Sequence, residues 1–93
     1  MAEFEVDVPE ALRGGAYANA ARPWHTAHEF TLDFIALEEP IEEAADVVRG
    51  IVTSRVRIPV TMIFDLIRAL NETMTRYENV FGEIRSIEPG NSE

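Results

Sequence analysis

Ile63-Phe64-Asp65-Leu66-Ile67-Arg68-Ala69-Leu70-Asn71-Glu72-Thr73-Met74-Thr75-Arg76-Tyr77-Glu78-Asn79-Val80-Phe81-Gly82 decides the fold class. Ile63, Leu66, Ile67, Leu70, Met74, Tyr77 and Phe81 stand at offsets 0, 3, 4, 7, 11, 14 and 18, an apolar stripe at helical period. Pro59 disfavours helix at Ile58, Thr61 is a candidate N-cap, and Gly82 supplies the left-handed residue that stops a helix. Asp65 with Arg68, Arg68 with Glu72 and Glu72 with Arg76 give outer-face charge pairs. A helix of about 22 residues spans about 33 Å, close to the length of a nine- or ten-residue strand.

Upstream the period changes from helical to two. In Glu29-Phe30-Thr31-Leu32-Asp33-Phe34, the apolar residues Phe30, Leu32 and Phe34 take one face, with Thr31 and Asp33 on the other. Ala16 to Arg22 reads as a preceding strand, with Pro23 to His28 holding a hairpin connection of about four to six residues. Pro23 cannot donate to a ladder and belongs near a strand end or on an edge. A third strand runs from Val47 or Val48 to Ile58, with Val52, Ser54, Val56 and Ile58 on one face and Ile51, Thr53, Arg55 and Arg57 on the other. Phe4-Glu5-Val6-Asp7-Val8 also alternates, reads as a half-buried strand ended by Pro9, and is separated from the body by the Gly14-Gly15 hinge. Glu38 to Glu43, with Pro40, is an acidic loop, and residues 86–93 form a polar tail.

The expected fold is α+β: an antiparallel sheet of three to four strands in β-β-β-β-α order, with one long C-terminal helix packed on one face. Residues 1–15 are the N-terminal strand and hinge, 16–84 a single domain, and 85–93 a flexible polar tail. A single helix shields only part of one side of such a sheet. Tyr17, Trp24, Ile35, Leu37 and Ile51 then still seek burial, as do Met62, Phe64 and Val80 off the helical stripe. A small domain with leftover apolar surface and open edges oligomerises, so a homodimer is expected.

The chain has 93 residues, 46% of them apolar, and a net charge of −9, which leaves room for one small core and argues against a disordered acidic chain. It has no cysteine, which excludes disulfides, thiolate metal sites and cysteine nucleophiles and suits a reducing compartment. No stretch approaches a membrane span, and the acidic start lacks the basic opening of a signal peptide, so a cytoplasmic protein is expected. All eight basic residues are arginines, a side chain suited to forked carboxylate pairing and interfaces, although nucleotide bias in the genome is the plainer explanation.

Tyr17-Ala18-Asn19-Ala20, Trp24-His25-Thr26 and Glu29 to Phe34, followed by Arg57-Ile58, Leu70-Asn71-Glu72, Tyr77-Glu78 and Phe81-Gly82-Glu83-Ile84, resemble the small bacterial and archaeal family called domain of unknown function 3467. The resemblance covers about residues 16–84. Ile58-Pro59 stands where the family has Ser-Pro at the helix start. It implies a single-domain protein without an assigned activity and contributes no catalytic residues.

Chemistry-bearing constellations are sparse. His25 and His28, three apart around the hairpin turn with Glu29 adjacent, are weak evidence for a metal centre, which would need a fourth ligand from elsewhere, so no metal and no cofactor is expected. The serines sit in no nucleophile elbow, paired carboxylates lie only in charge runs, and no phosphate-binding glycine loop is present. An enzyme is therefore not expected. Arg55 and Arg57 on one strand face, with Tyr17 or Trp24 to stack bases, would suit single-stranded nucleic acid. A net −9 repels phosphate, so nucleic acid is the lesser alternative, and pairing of these arginines with Asp33 or with the acidic residues of the first strand is favoured. The leading expectation is a non-enzymatic protein–protein interaction module, an adaptor or small chaperone-like protein acting as a homo-oligomer. Tyr17, Asn19, Trp24, Ile35, Arg55 and Arg57 are its candidate binding residues, and its partners are a second copy and another protein.

Overall fold

A computed structural model of the chain describes residues 3–38 and 47–85. The acidic loop between Glu39 and Glu43 and the tail at 86–93 lie outside these residues. The chain divides into two compact units, Met1–Ile58 and Pro59–Glu93. The first holds the sheet and the second the helix.

Three strands build the sheet in the order β1-β2-β3: β1 is Ala20–His25, β2 Glu29–Leu37 and β3 Gly50–Pro59. β1 and β2 pair antiparallel, from Ala20 opposite Ile35 to His25 opposite Phe30. The expected four- to six-residue connection is shorter. Pro23, Trp24 and His25 belong to β1, and the turn closes with Thr26 N donating to Glu29 O at 2.9 Å, leaving only Ala27 and His28 at its tip. Thr26 and Glu29 form a hydrogen-bonded pair, so alternation makes Pro23–Leu32 a non-hydrogen-bonded one. The nitrogen of Pro23 therefore points away from β2. A proline fits mid-strand here because only the open edge loses a donor.

β3 runs antiparallel to β2, since its partners descend as β2 ascends: Glu29 meets Arg57, Asp33 meets Arg55, and Glu38 N donates to Arg49 O. Its side chains do not keep one alternation from end to end. A Cβ placed on Gly50 would lie 2.8 Å from both Ile35 Cγ2 and Leu37 Cδ2, so Gly50 faces the Asp33 side of the sheet. Arg55, five positions on, faces the same side, which a regular strand forbids. The alternation slips by one residue between them, as in a β-bulge. Val52 accordingly shares a depression with Arg22, Ile35, Leu37, Val48 and Gly50, not the Val56–Ile58 face that strict period two predicts.

Phe4 to Val8 forms no strand. Among the described residues the sheet has three strands, and Phe4, Val6 and Val8 are 88%, 76% and 55% exposed. Alternation makes a segment competent for a ladder, but a strand also needs an edge that takes it. Asn19 shows how the chain leaves the sheet at this end. Its backbone N donates to Ile35 O, and its side-chain oxygen accepts from Leu37 N at 2.9 Å, standing in for the next strand carbonyl. Tyr17 O then accepts from the Thr53 hydroxyl of β3.

In the second unit a 3-10 turn, Val60–Met62, leads into α1, Ile63–Phe81, with Met62 rather than Thr61 at the N-cap. Its 19 residues span about 28 Å, and the Tyr77 and Phe81 rings meet at 5.0 Å along the apolar stripe. Gly82 at φ 101° ends it, its N–H donating to Glu78 O. Asp65 pairs with Arg68 at 3.0 Å, while Arg76 donates to Thr73 instead of pairing with Glu72.

Candidate functional site

Each strand sends one side chain to a common point on one sheet face: Trp24 from β1, Asp33 from β2 and Arg55 from β3. The β1–β2 register places Arg22 opposite Asp33 and Trp24 opposite Thr31, so the indole reaches Asp33 diagonally. Trp24 Nε1 donates to Asp33 Oδ2 at 3.2 Å. Arg55 donates from Nε to Oδ1 at 2.6 Å and from Nη2 to Oδ2 at 2.9 Å, a two-pronged grip on the carboxylate. The guanidinium carbon lies 5.7 Å from the indole centroid, within cation–π range. Asp33 has no exposed surface at all, although the Arg55 side chain above it is 54% exposed. Guanidinium and indole together cover the carboxylate.

This enclosure decides the charge state. The Arg55 hydrogen bonds hold the Asp33 carboxyl below its ordinary value; burial opposes them, while the Trp24 N–H and the charges of Arg55 and Arg22 assist. Asp33 in turn raises the pKa of Arg55. Both Asp33 oxygens are thus engaged, Oδ1 by Arg55 and Oδ2 by Arg55 and Trp24. Beside it Arg57 donates from Nε and Nη2 to Glu29 Oε1 at 3.1 and 2.8 Å. Trp24, Thr26, Glu29, Thr31, Arg55 and Arg57 line an open depression of about 300 Å³. Both guanidiniums keep Nη1 outside any hydrogen bond among the described residues, so the site offers donors and an aromatic plane.

Of the residues singled out from sequence, the structure brings Trp24, Arg55 and Arg57 together. Tyr17, Asn19 and Ile35 lie toward the other end of the sheet, where Asn19 completes the ladder and Ile35 touches the Gly50 position. Thr31, 3% exposed on the floor between the arginines, carried no distinguishing signal. Asp33 carried one, as an acid set between Leu32 and Phe34 at the middle of the most apolar strand. His25 packs its ring on Phe30 at 5.7 Å, on the face opposite Glu29, which separates the candidate metal ligands. Among the described residues no three His, Cys, Asp or Glu side chains converge on a metal position.

The family described as "Protein of unknown function (DUF3467)" matches residues 1–86. No curated protein and no solved structure matches the chain. Among the described residues no helix is long and apolar enough to cross a membrane.

Proposed function

The chain belongs to the DUF3467 family, to which no activity is assigned, and from that premise we propose that it is a non-enzymatic, cytoplasmic protein–protein interaction module. It acts as a homodimer and serves as an adaptor or small chaperone-like protein for extended polypeptide. One observation carries this reading: Trp24 is pinned by Asp33 and Arg55, yet 43% of it remains exposed. An indole that is already ordered loses little entropy on binding, and such aromatic anchors dominate interface energetics. The net charge of −9 keeps the exposed apolar surface soluble.

Nucleic acid is the alternative, since Arg55 and Arg57 flank an aromatic face. Both arginines already hold carboxylates, which weakens that reading.

Trp24 is the only tryptophan, so its fluorescence reports on the site directly. Titration with a reduced, alkylated polypeptide lacking tryptophan should shift the emission, and Trp24→Ala should abolish binding while leaving the helical circular dichroism intact. Salt-sensitive quenching by an oligonucleotide, with no response to polypeptide, overturns the proposal in favour of the alternative. Light scattering should give about twice the 10.5 kDa chain mass.

A further inference from the structure

The two edges of the sheet are not equivalent. β1 presents Pro23, whose missing N–H faces outward and interrupts any further ladder. β3 carries no proline before Pro59, and among the described residues no strand occupies its outer edge. Beyond the slip, Arg55-Val56-Arg57-Ile58 alternates charged and apolar residues, with both arginines on the Asp33 face. Phe4-Glu5-Val6-Asp7-Val8 alternates with the same period and opposite charge, yet its own chain leaves it unpaired and exposed.

We infer that the outer edge of β3 receives residues 4–8 of a second copy as an antiparallel fourth strand, reciprocally, so that the two chains exchange N-terminal segments. This rests on the homodimer reading above and says how the dimer is closed. Setting Val6 opposite Val56 places Glu5 opposite Arg57 and Asp7 opposite Arg55, while Phe4 falls against Ile58. Glu29–Arg57–Glu5 and Asp33–Arg55–Asp7 then form two charge rows across three strands, using the Nη1 donors that β2 leaves over. Pro9 lands opposite Thr53, inside the slip, where the ladder ends in any case. The pairing is specific: moving the segment by one residue sets Phe4, Val6 and Val8 on the charged face.

The chain has no cysteine of its own, so engineered pairs test the contact cleanly. Full-length Val6→Cys mixed with full-length Val56→Cys should give a disulfide-linked heterodimer under mild oxidation. Phe4→Cys with Ile58→Cys should also link, and Phe4→Cys with Ser54→Cys should not. Adding Glu5→Arg and Asp7→Arg should cut the yield and weaken dimerisation by roughly tenfold or more, as two attractive cross-strand pairs turn repulsive in each copy. A dimer by light scattering that yields no Val6–Val56 link overturns the exchange and leaves the homodimer standing. A chain of monomer mass overturns both. Linkage within one chain in a Val6→Cys/Val56→Cys double variant, at the expense of the intermolecular product, shows that the strand adds in cis and also overturns the exchange.

Discussion

Asp33 and Arg55 meet through two parallel hydrogen bonds, 2.6 and 2.9 Å long, between the central strand and its neighbour, with the carboxylate wholly enclosed and the guanidinium half in water. Removing either partner has unequal consequences. Arg55→Ala leaves an anion under the indole with one donor remaining, whereas Asp33→Ala leaves a guanidinium that solvent can reach. Thermal unfolding should show Arg55→Ala as the worse single change, with a fall in Tm of roughly 10 °C, and the double variant should recover part of the loss. Arg55→Lys should not restore stability, because an ammonium cannot reproduce the forked contact. Equal losses for the two alanine variants, with no recovery in the double, would contradict this account of the enclosure.

Acid titration should expose the same pair. The Asp33 carboxyl sits below its ordinary value of 3.8 in the folded chain, so its contribution is complete above that value and is lost as pH falls toward the folded one. Denaturant midpoints measured from neutral pH downward should be flat for this group to about pH 5 and then decline. Asp33→Asn should start lower and decline less. Arg55 is shifted further up from an already high value and adds no pH dependence across this range.

Asn19 supports the sheet by a single side-chain bond to Leu37 N, in a place open to water. Asn19→Ala should cost about 0.5–1 kcal/mol, since water replaces the acceptor in part. Asn19→Asp, which keeps an acceptor, should cost less. Amide exchange at Leu37 reads the change locally, and unaltered protection in Asn19→Ala would remove Asn19 from the ladder.

Glycines 50 and 14 should respond in opposite directions. A methyl group on Gly50 meets Ile35 Cγ2 and Leu37 Cδ2 at 2.8 Å, so Gly50→Ala should destabilise by about 1–2 kcal/mol and Gly50→Val by more. Gly14 has open space around it, and its backbone lies outside the left-handed region. Gly14→Ala should therefore be neutral or stabilising by about 0.5 kcal/mol, through a less flexible unfolded chain. Chemical denaturation of both variants separates the two effects.

Much of the architecture is legible in short-range pattern. The Phe30–Leu32–Phe34 alternation, the stripe from Ile63 to Phe81, the barrier at Pro59 and the stop at Gly82 are local steric and burial rules, and each appears where those rules put it. Arg55 and Arg57 are recognisable as a pair on one strand face, and Asp33 as a partner, which Arg55 takes while Arg57 takes Glu29 instead. Period two cannot register a slip, however, so the switch of Val52 to the Asp33 face is visible only when Gly50 and Arg55 are seen on the same side.

Local chemistry, then, set the run of β2 and where α1 starts and stops, because backbone sterics and side-chain period act within a few residues. Which carboxylate is sealed beneath Trp24 and Arg55, that Pro23 sits harmlessly inside β1, and that Phe4 to Val8 goes unpaired in its own chain were decided by strand order and register. Those depend on contacts between residues 9 to 36 positions apart, whose closure no local pattern encodes.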